Sequence, residues 1–108
     1  MSVAVPIPEL SAAIAQQIGW CYLLTVSDDS QARILAVTPT ADADGVLHFA
    51  VGTSTGANVA ARSAVTLLFP PSTATAMSLI VDGTATVDGS NVSFTPTWAV
   101  LHRSALPG

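Results

Sequence analysis

The spacing of hydrophobic and polar positions changes period several times along the chain. Leu10, Ile14 and Ile18 recur every four residues between Pro8 and Ile18, which predicts one apolar stripe on a short helix. Pro8 and Glu9 suit its first turn, and Gly19 stops it. From Trp20 the pattern becomes aromatic and β-branched. Trp20–Ser27, Ala32–Thr38 and Val46–Val51 read as strands. The polar turns Asp28–Gln31 and Asp42–Gly45 separate them, the second ending in Asp-Gly, a strong hairpin dipeptide. These strands are expected to form an antiparallel meander.

Gly52–Arg62 opens on a Ser/Thr cluster and continues rich in alanine, which predicts a capped helix. Ala64–Phe69 is a strand stopped by Pro70 and Pro71. Ala76–Val87 is a long strand with a bulge expected at Asp82–Gly83. Asp88–Asn91 is a turn. Val92 to Arg103 reads as a last strand with an edge or bulge at Pro96; the alternative ends it in a short helix over Thr97 to Arg103. Six strands with two short helices predict one domain over residues 1–108, mainly β. A small antiparallel barrel, closed by the bend in the long strand, is the first expectation. An antiparallel α+β sandwich competes with it.

Composition narrows the function. Of 108 residues, 50% are hydrophobic and 9% charged, against about 25% charged in an average domain. The only basic side chains besides histidine are Arg33, Arg62 and Arg103, and the formal charge is −4. Three scattered arginines build neither a nucleic-acid groove nor a polybasic membrane patch. The chain is too apolar for disorder, and no apolar run reaches the length of a membrane span. Met1 to Pro6 lacks the basic start of a secretory signal, so a cytoplasmic location is expected. The lone Cys21 excludes an internal disulfide and a cysteine-rich metal site. It sits in an apolar run, where a buried, inert thiol is expected rather than a nucleophile. So few charges leave a monomer poorly solvated, and a homodimer hiding one face is expected.

No catalytic constellation stands out in the order of residues. His48 and His102, the two histidines, have no carboxylate or cysteine at a ligand spacing, so no metal site is expected. His48 reads as a surface or dimer-facing residue. Asp28, Asp29, Asp42, Asp44 and Asp88 fall in turns, where aspartate bonds its own backbone, so no acid dyad is expected. Gly52-Thr-Ser-Thr-Gly56 lacks the Gly-Lys-Ser/Thr ending of a P-loop. Hydroxyls and N–H groups at a helix start nonetheless attract anions, so a plain cap and an anion site are both open.

The order and spacing of these elements resemble the pyridoxamine 5′-phosphate oxidase-like, FMN-binding split-barrel superfamily. The likeness covers most of the chain: the helix before Trp20–Ser27, the turn and strand Asp28–Pro39, the unit Gly45–Phe69, the strand Val81–Val87 and the ending Ala99–Arg103. It implies a homodimeric split β-barrel holding FMN, or a deazaflavin, in grooves between subunits. It also implies hydride transfer in which the cofactor carries the redox chemistry.

By the resemblance, Arg33 matches an arginine that grips the cofactor phosphate, and Thr38 stands where relatives carry a lysine. Thr53, Ser54 and Thr55 match a Ser/Thr-x-Lys segment that has kept its hydroxyl and lost its lysine. Asn58 and Arg62 follow on the helix, in places that would compensate. Val37 and Thr38 would line the ring, and Trp98 and His102 would cover it from the partner subunit. The alternative is a non-catalytic split-barrel dimer that has lost flavin or takes another small ligand. Missing lysines favour it, since each charge-assisted bond to a phosphate contributes about 1.5–3 kcal/mol.

Overall fold

A computed structural model describes residues 2–103. Alternation along the strands builds the core. In β2 (Cys21–Val26) Cys21, Leu23 and Thr25 point inward, and β6 (Ala64–Phe69) buries Val65, Leu67 and Phe69 the same way. The long strands β7 (Ser78–Asp88) and β8 (Asn91–His102) add Leu79, Val81, Ala85, Val92 and Phe94. Each large side chain so buried contributes about 1.5–3 kcal/mol. Val59 of α2 (Thr53–Ala61) and Leu10 of α1 (Leu10–Ala15) close this core.

The strands form one curled antiparallel sheet in the order β3-β2-β6-β7-β8-β5-β4. Here β3 is Ala32–Val37, β4 is Thr40–Ala41 and β5 is Leu47–Ala50. Strand β8 pairs with β7 along its length, while its other edge is shared. Asn91–Phe94 meets β5, and Val100–His102 meets β1 (Ser2–Ala4). Strand β3 has one neighbour, β2, so its far edge is free among the described residues.

The bulge expected at Asp82–Gly83 is present, but the extra residue lies opposite. Asp82 pairs with Trp98 and Gly83 with Pro96, which leaves Thr97 of β8 unpaired. Proline suits this spot because it has no N–H to give to a ladder. Position 83 must be glycine: a Cβ there would stand 2.5 Å from the Phe94 ring and from the Thr95 carbonyl oxygen. Gly89, at φ +62°, opens the tight β7–β8 turn in the way a type II′ hairpin demands.

Three expectations are corrected: the meander, the number of strands and the end of the first helix. The meander does not form: β5 pairs with β4 and β8, not with β3. The Asp-Gly turn does close a hairpin, but its partner is the two-residue β4, after β3 has ended and Pro39 has redirected the chain. Eight strands are present among the described residues rather than six, the additions being the short β1 and β4. The strand reading of the last segment holds: Trp98 to His102 stays extended, paired with β7 throughout and with β1 over Val100–His102. The first helix is a 3-10 turn, Ile7–Glu9, followed by α1, and it ends before Ile18. Just past it, the Gln17 amide donates to the carbonyls of Pro70 and Met77, each at 3.1 Å, and so pins the loop between β6 and β7.

Candidate functional site

Two hollows open at opposite ends of β3. Arg33, Ile34 and Leu35 line one, and Ala36 and Val37 with Thr38 just past the strand line the other; consecutive residues take part because the free edge of β3 leaves both faces reachable. The ends stand about 16 Å apart along the strand.

The first hollow, about 290 Å³, lies between the start of β3 and the start of α2 and is lined by Ser27, Arg33, Ile34, Leu35, Ser54, Thr55 and Asn58. Arg33 faces the core side opposite Thr25 but is more than half exposed. Its nearest carboxylate, Asp29, is 3.8 Å away, and an exposed pair at that distance is worth little. Most of its donors are therefore free. The N-cap of α2 is Gly52, and no side chain caps the helix. The first-turn N–H groups thus lack a side-chain partner, and the hydroxyls of Ser54 and Thr55 are not consumed in capping. Asn58 donates to the buried Thr25 hydroxyl at 3.2 Å, which fixes its amide and leaves the amide oxygen uncommitted. Ser27 donates to Asp29, and this bond, ahead of the nearby Arg33 charge, holds the Asp29 carboxyl below the usual range.

The second hollow, about 600 Å³, is lined by Trp20, Tyr22, Ala36, Val37, Thr38 and Ala50. Trp20 and Tyr22 meet edge to face with ring centroids 4.9 Å apart, giving one rigid aromatic wall. The opposite wall is the end of β3 with its free backbone edge.

The sequence-predicted residues thus separate into groups. Arg33, Ser54, Thr55 and Asn58 come together in the first hollow, and Val37 and Thr38 in the second. Thr53 turns to the other side of α2, toward Val87 and Gly89. Arg62 donates through Nε to the Val26 carbonyl at 2.7 Å and through Nη2 to Asp28 at 2.9 Å, so it clips α2 to the β2–β3 turn. Trp98 and His102 lie on β8, four strand spacings from β3, or about 19 Å along the sheet. His102 faces Ser2, with Nδ1 3.4 Å from its hydroxyl. Sequence reasoning missed Ser27, Trp20 and Tyr22. The aromatic i, i+2 spacing of Trp20 and Tyr22 was the available signal, because it puts both rings on one face. Cys21, between them, points inward; burial pushes its thiol up to about 12, and it takes no part in either hollow.

Comparison with known proteins gives relatives at two levels. The chain is 36% identical to the uncharacterized protein Mb0449c of Mycobacterium bovis, across 89% of this chain and 79% of that one. The uncharacterized protein MT0457 of Mycobacterium tuberculosis matches to the same extent. No family model matches. Among solved structures, the FAD-binding protein of Mycobacterium smegmatis superposes with a TM-score of 0.69 at 16% identity, covering 95% of this chain and 100% of the other. A Corynebacterium glutamicum protein provisionally named as a pyridoxamine 5′-phosphate oxidase gives 0.64 at 13% identity, with 96% and 100% covered. An F420 reductase gives 0.57 at 16%, with 86% and 92% covered.

Proposed function

The chain belongs to the family of these mycobacterial relatives and has the pyridoxamine 5′-phosphate oxidase-like split-barrel fold, and on that footing we propose that it binds a flavin-type cofactor along β3. The observation that carries this reading is the meeting of Arg33, Ser54, Thr55, Asn58 and an uncapped helix start in one hollow. That donor set fits an anionic group: one guanidinium, two hydroxyls and N–H groups at the positive end of a helix dipole. The aromatic-walled hollow at the other end of β3 fits a flat ring. An elongated ligand with a phosphate tail and a planar head meets both. The solved neighbours named for FAD and F420 support the same class of ligand, and FMN is the member proposed here.

When bound, such a cofactor supplies hydride transfer, and an oxidoreductase is the activity proposed. The chain's own residues position it. Arg33 and α2 hold the anionic end, while Trp20, Tyr22 and the end of β3 fix the plane of the ring and keep water from one side of it.

The proposal includes a homodimer. The outer face of β2, β3 and β7 carries Tyr22, Val26, Ile34 and Ile80, with Trp98 on β8. Ile34 is 62% exposed and Trp98 50%. An apolar sheet face of this kind in a chain with 9% charged residues is covered best by a second copy. Trp98 and His102, remote from β3 within one chain, then reach a cofactor only across that seam.

A second reading is a split-barrel dimer without hydride chemistry. It is favoured by the single guanidinium of the first hollow and by the two carboxylates, Asp28 and Asp29, on the adjoining turn. Titration of FMN with flavin fluorescence as the readout separates the two. The cofactor reading predicts saturable quenching near one FMN per chain. Absence of quenching at micromolar FMN would leave the second reading standing.

A further inference from the structure

His48 lies on the outer face of the sheet, its side chain 43% exposed, and it has two side-chain partners there. His48 Nε2 lies 2.8 Å from Asp42 Oδ2, and the Ser93 hydroxyl lies 3.2 Å from His48 Nδ1. Asp42 is six positions upstream across the β4–β5 turn, and Ser93 is the direct cross-strand partner of His48 on β8. Only the fold brings the three into line.

The direction of the hydrogen bonds follows from the groups themselves. A carboxylate only accepts, so Nε2 carries the ring proton toward Asp42. The neutral ring then has its lone pair on Nδ1, facing Ser93, whose O–H donates to it. Asp42 is itself fixed, because its Oδ1 accepts the N–H groups of Asp44 at 2.8 Å and Val46 at 3.1 Å. The His48 bond is the main reason the Asp42 carboxyl sits below its ordinary range. A serine whose proton faces a base, with that base oriented by a held carboxylate, is the arrangement that activates a hydroxyl for attack.

We infer that Ser93 is a base-activated nucleophile that accepts acyl groups from small activated esters, with His48 as its base and Asp42 as the group that orients His48. The inference is independent of cofactor binding. Ser93 and His48 are half-buried on the outer face, so a small reagent reaches them. Neither hollow at β3 includes them, and an open sheet face suits a compact acyl group with a good leaving group. The exposed Thr86, opposite Ser93 on β7, is the hydroxyl placed to donate to the developing oxyanion. In the first step Oγ bonds to the acyl carbon, its proton moves to Nδ1, and the ester bond breaks, the leaving oxygen taking that proton. In the second, water adds to the acyl carbon and gives a proton to Nδ1. The acyl–Oγ bond then breaks, and the proton returns to Ser93.

The test uses the intact chain with p-nitrophenyl acetate, following nitrophenolate release and mapping the adduct by peptide mass spectrometry. The expected result is one acetyl group, on Ser93, formed in a burst. Ser93→Ala abolishes the adduct, His48→Gln slows the burst about 100-fold or more, and Asp42→Asn slows it less. No adduct on the wild-type chain, an adduct on His48 or Cys21 instead, or an undiminished burst in Ser93→Ala would each overturn the assignment.

Discussion

The two halves of the sheet's outer face differ, although the inner face is apolar in both except at the Thr25–Arg33 rung. Across β3, β2, β7 and the second half of β8 the outward residues include Ile34, Tyr22, Ile80 and Trp98. Across β4, β5, the first half of β8 and the end of β7 they are Thr40, His48, Ser93 and Thr86, set side by side in one row. The border is the bulge at Thr97. Before it the even positions Val92 and Phe94 point inward; after it the odd position Ala99 does. A single inserted residue lets one strand keep its core side continuous while passing from a polar outer surface to a more apolar one, whose Asp82 accepts from the Thr66 hydroxyl at 2.6 Å. The comparison teaches that the core folds the chain, while the outer face sets what each half is suited to meet: small polar solutes at one end and, on the dimer proposed above, a second copy at the other.

The largest effect comes from removing what both halves share. Phe94 is fully buried and packs beneath Gly83 at the border. Phe94→Ala should lower unfolding free energy by about 3–5 kcal/mol, read as a fall in the urea midpoint. Gly83→Ala drives a Cβ into Phe94 and the Thr95 carbonyl and should cost about 1–3 kcal/mol by the same measurement. An unchanged midpoint for either would remove the border from the account.

The halves are then separated by their charge tolerance. Ile34→Glu with Trp98→Glu should convert a dimer of twice the 11.0 kDa chain mass into monomer in light scattering. Each buried side chain so replaced forfeits about 1.5–3 kcal/mol per subunit. Thr86→Glu on the polar half should leave the mass alone; dissociation by Thr86→Glu, or none by the double change, would erase the distinction. Arg33→Ala should weaken FMN about tenfold or more, judged from flavin fluorescence.

The smallest effect concerns Cys21. Burial favours the neutral thiol and raises it to about 12, so the reactive thiolate is scarce at any pH well below that value. A disulfide reagent at mildly alkaline pH should modify Cys21 only after denaturant is added. Rapid labelling of the native chain would contradict its burial.

Much of the fold was legible because alternation is a local signal. Strand β6 was read residue for residue, and the bulge was placed at its correct rung, since Gly83 interrupts an otherwise β-branched run. Pairing was not legible. Asp42–Gly45 announces a hairpin, but nothing local says that β4 rather than β3 is its other arm. The cradle was half legible: Arg33 and the Ser/Thr cluster could be named, while the engagement of Arg62 with Val26 and Asp28 depends on how α2 lies against the turn. The Asp42–His48–Ser93 chain was invisible, because its members stand 6 and 45 positions apart and meet only through the β5–β8 register.

Amide chemical-shift mapping of the chain during addition of FMN tests the site most directly. The account predicts that the largest shifts fall on Arg33, Ser54, Thr55 and Asn58 at one end and on Trp20, Tyr22 and Thr38 at the other, while the row of His48 and Ser93 stays still. Shifts confined to other surfaces, or none at all, would contradict it.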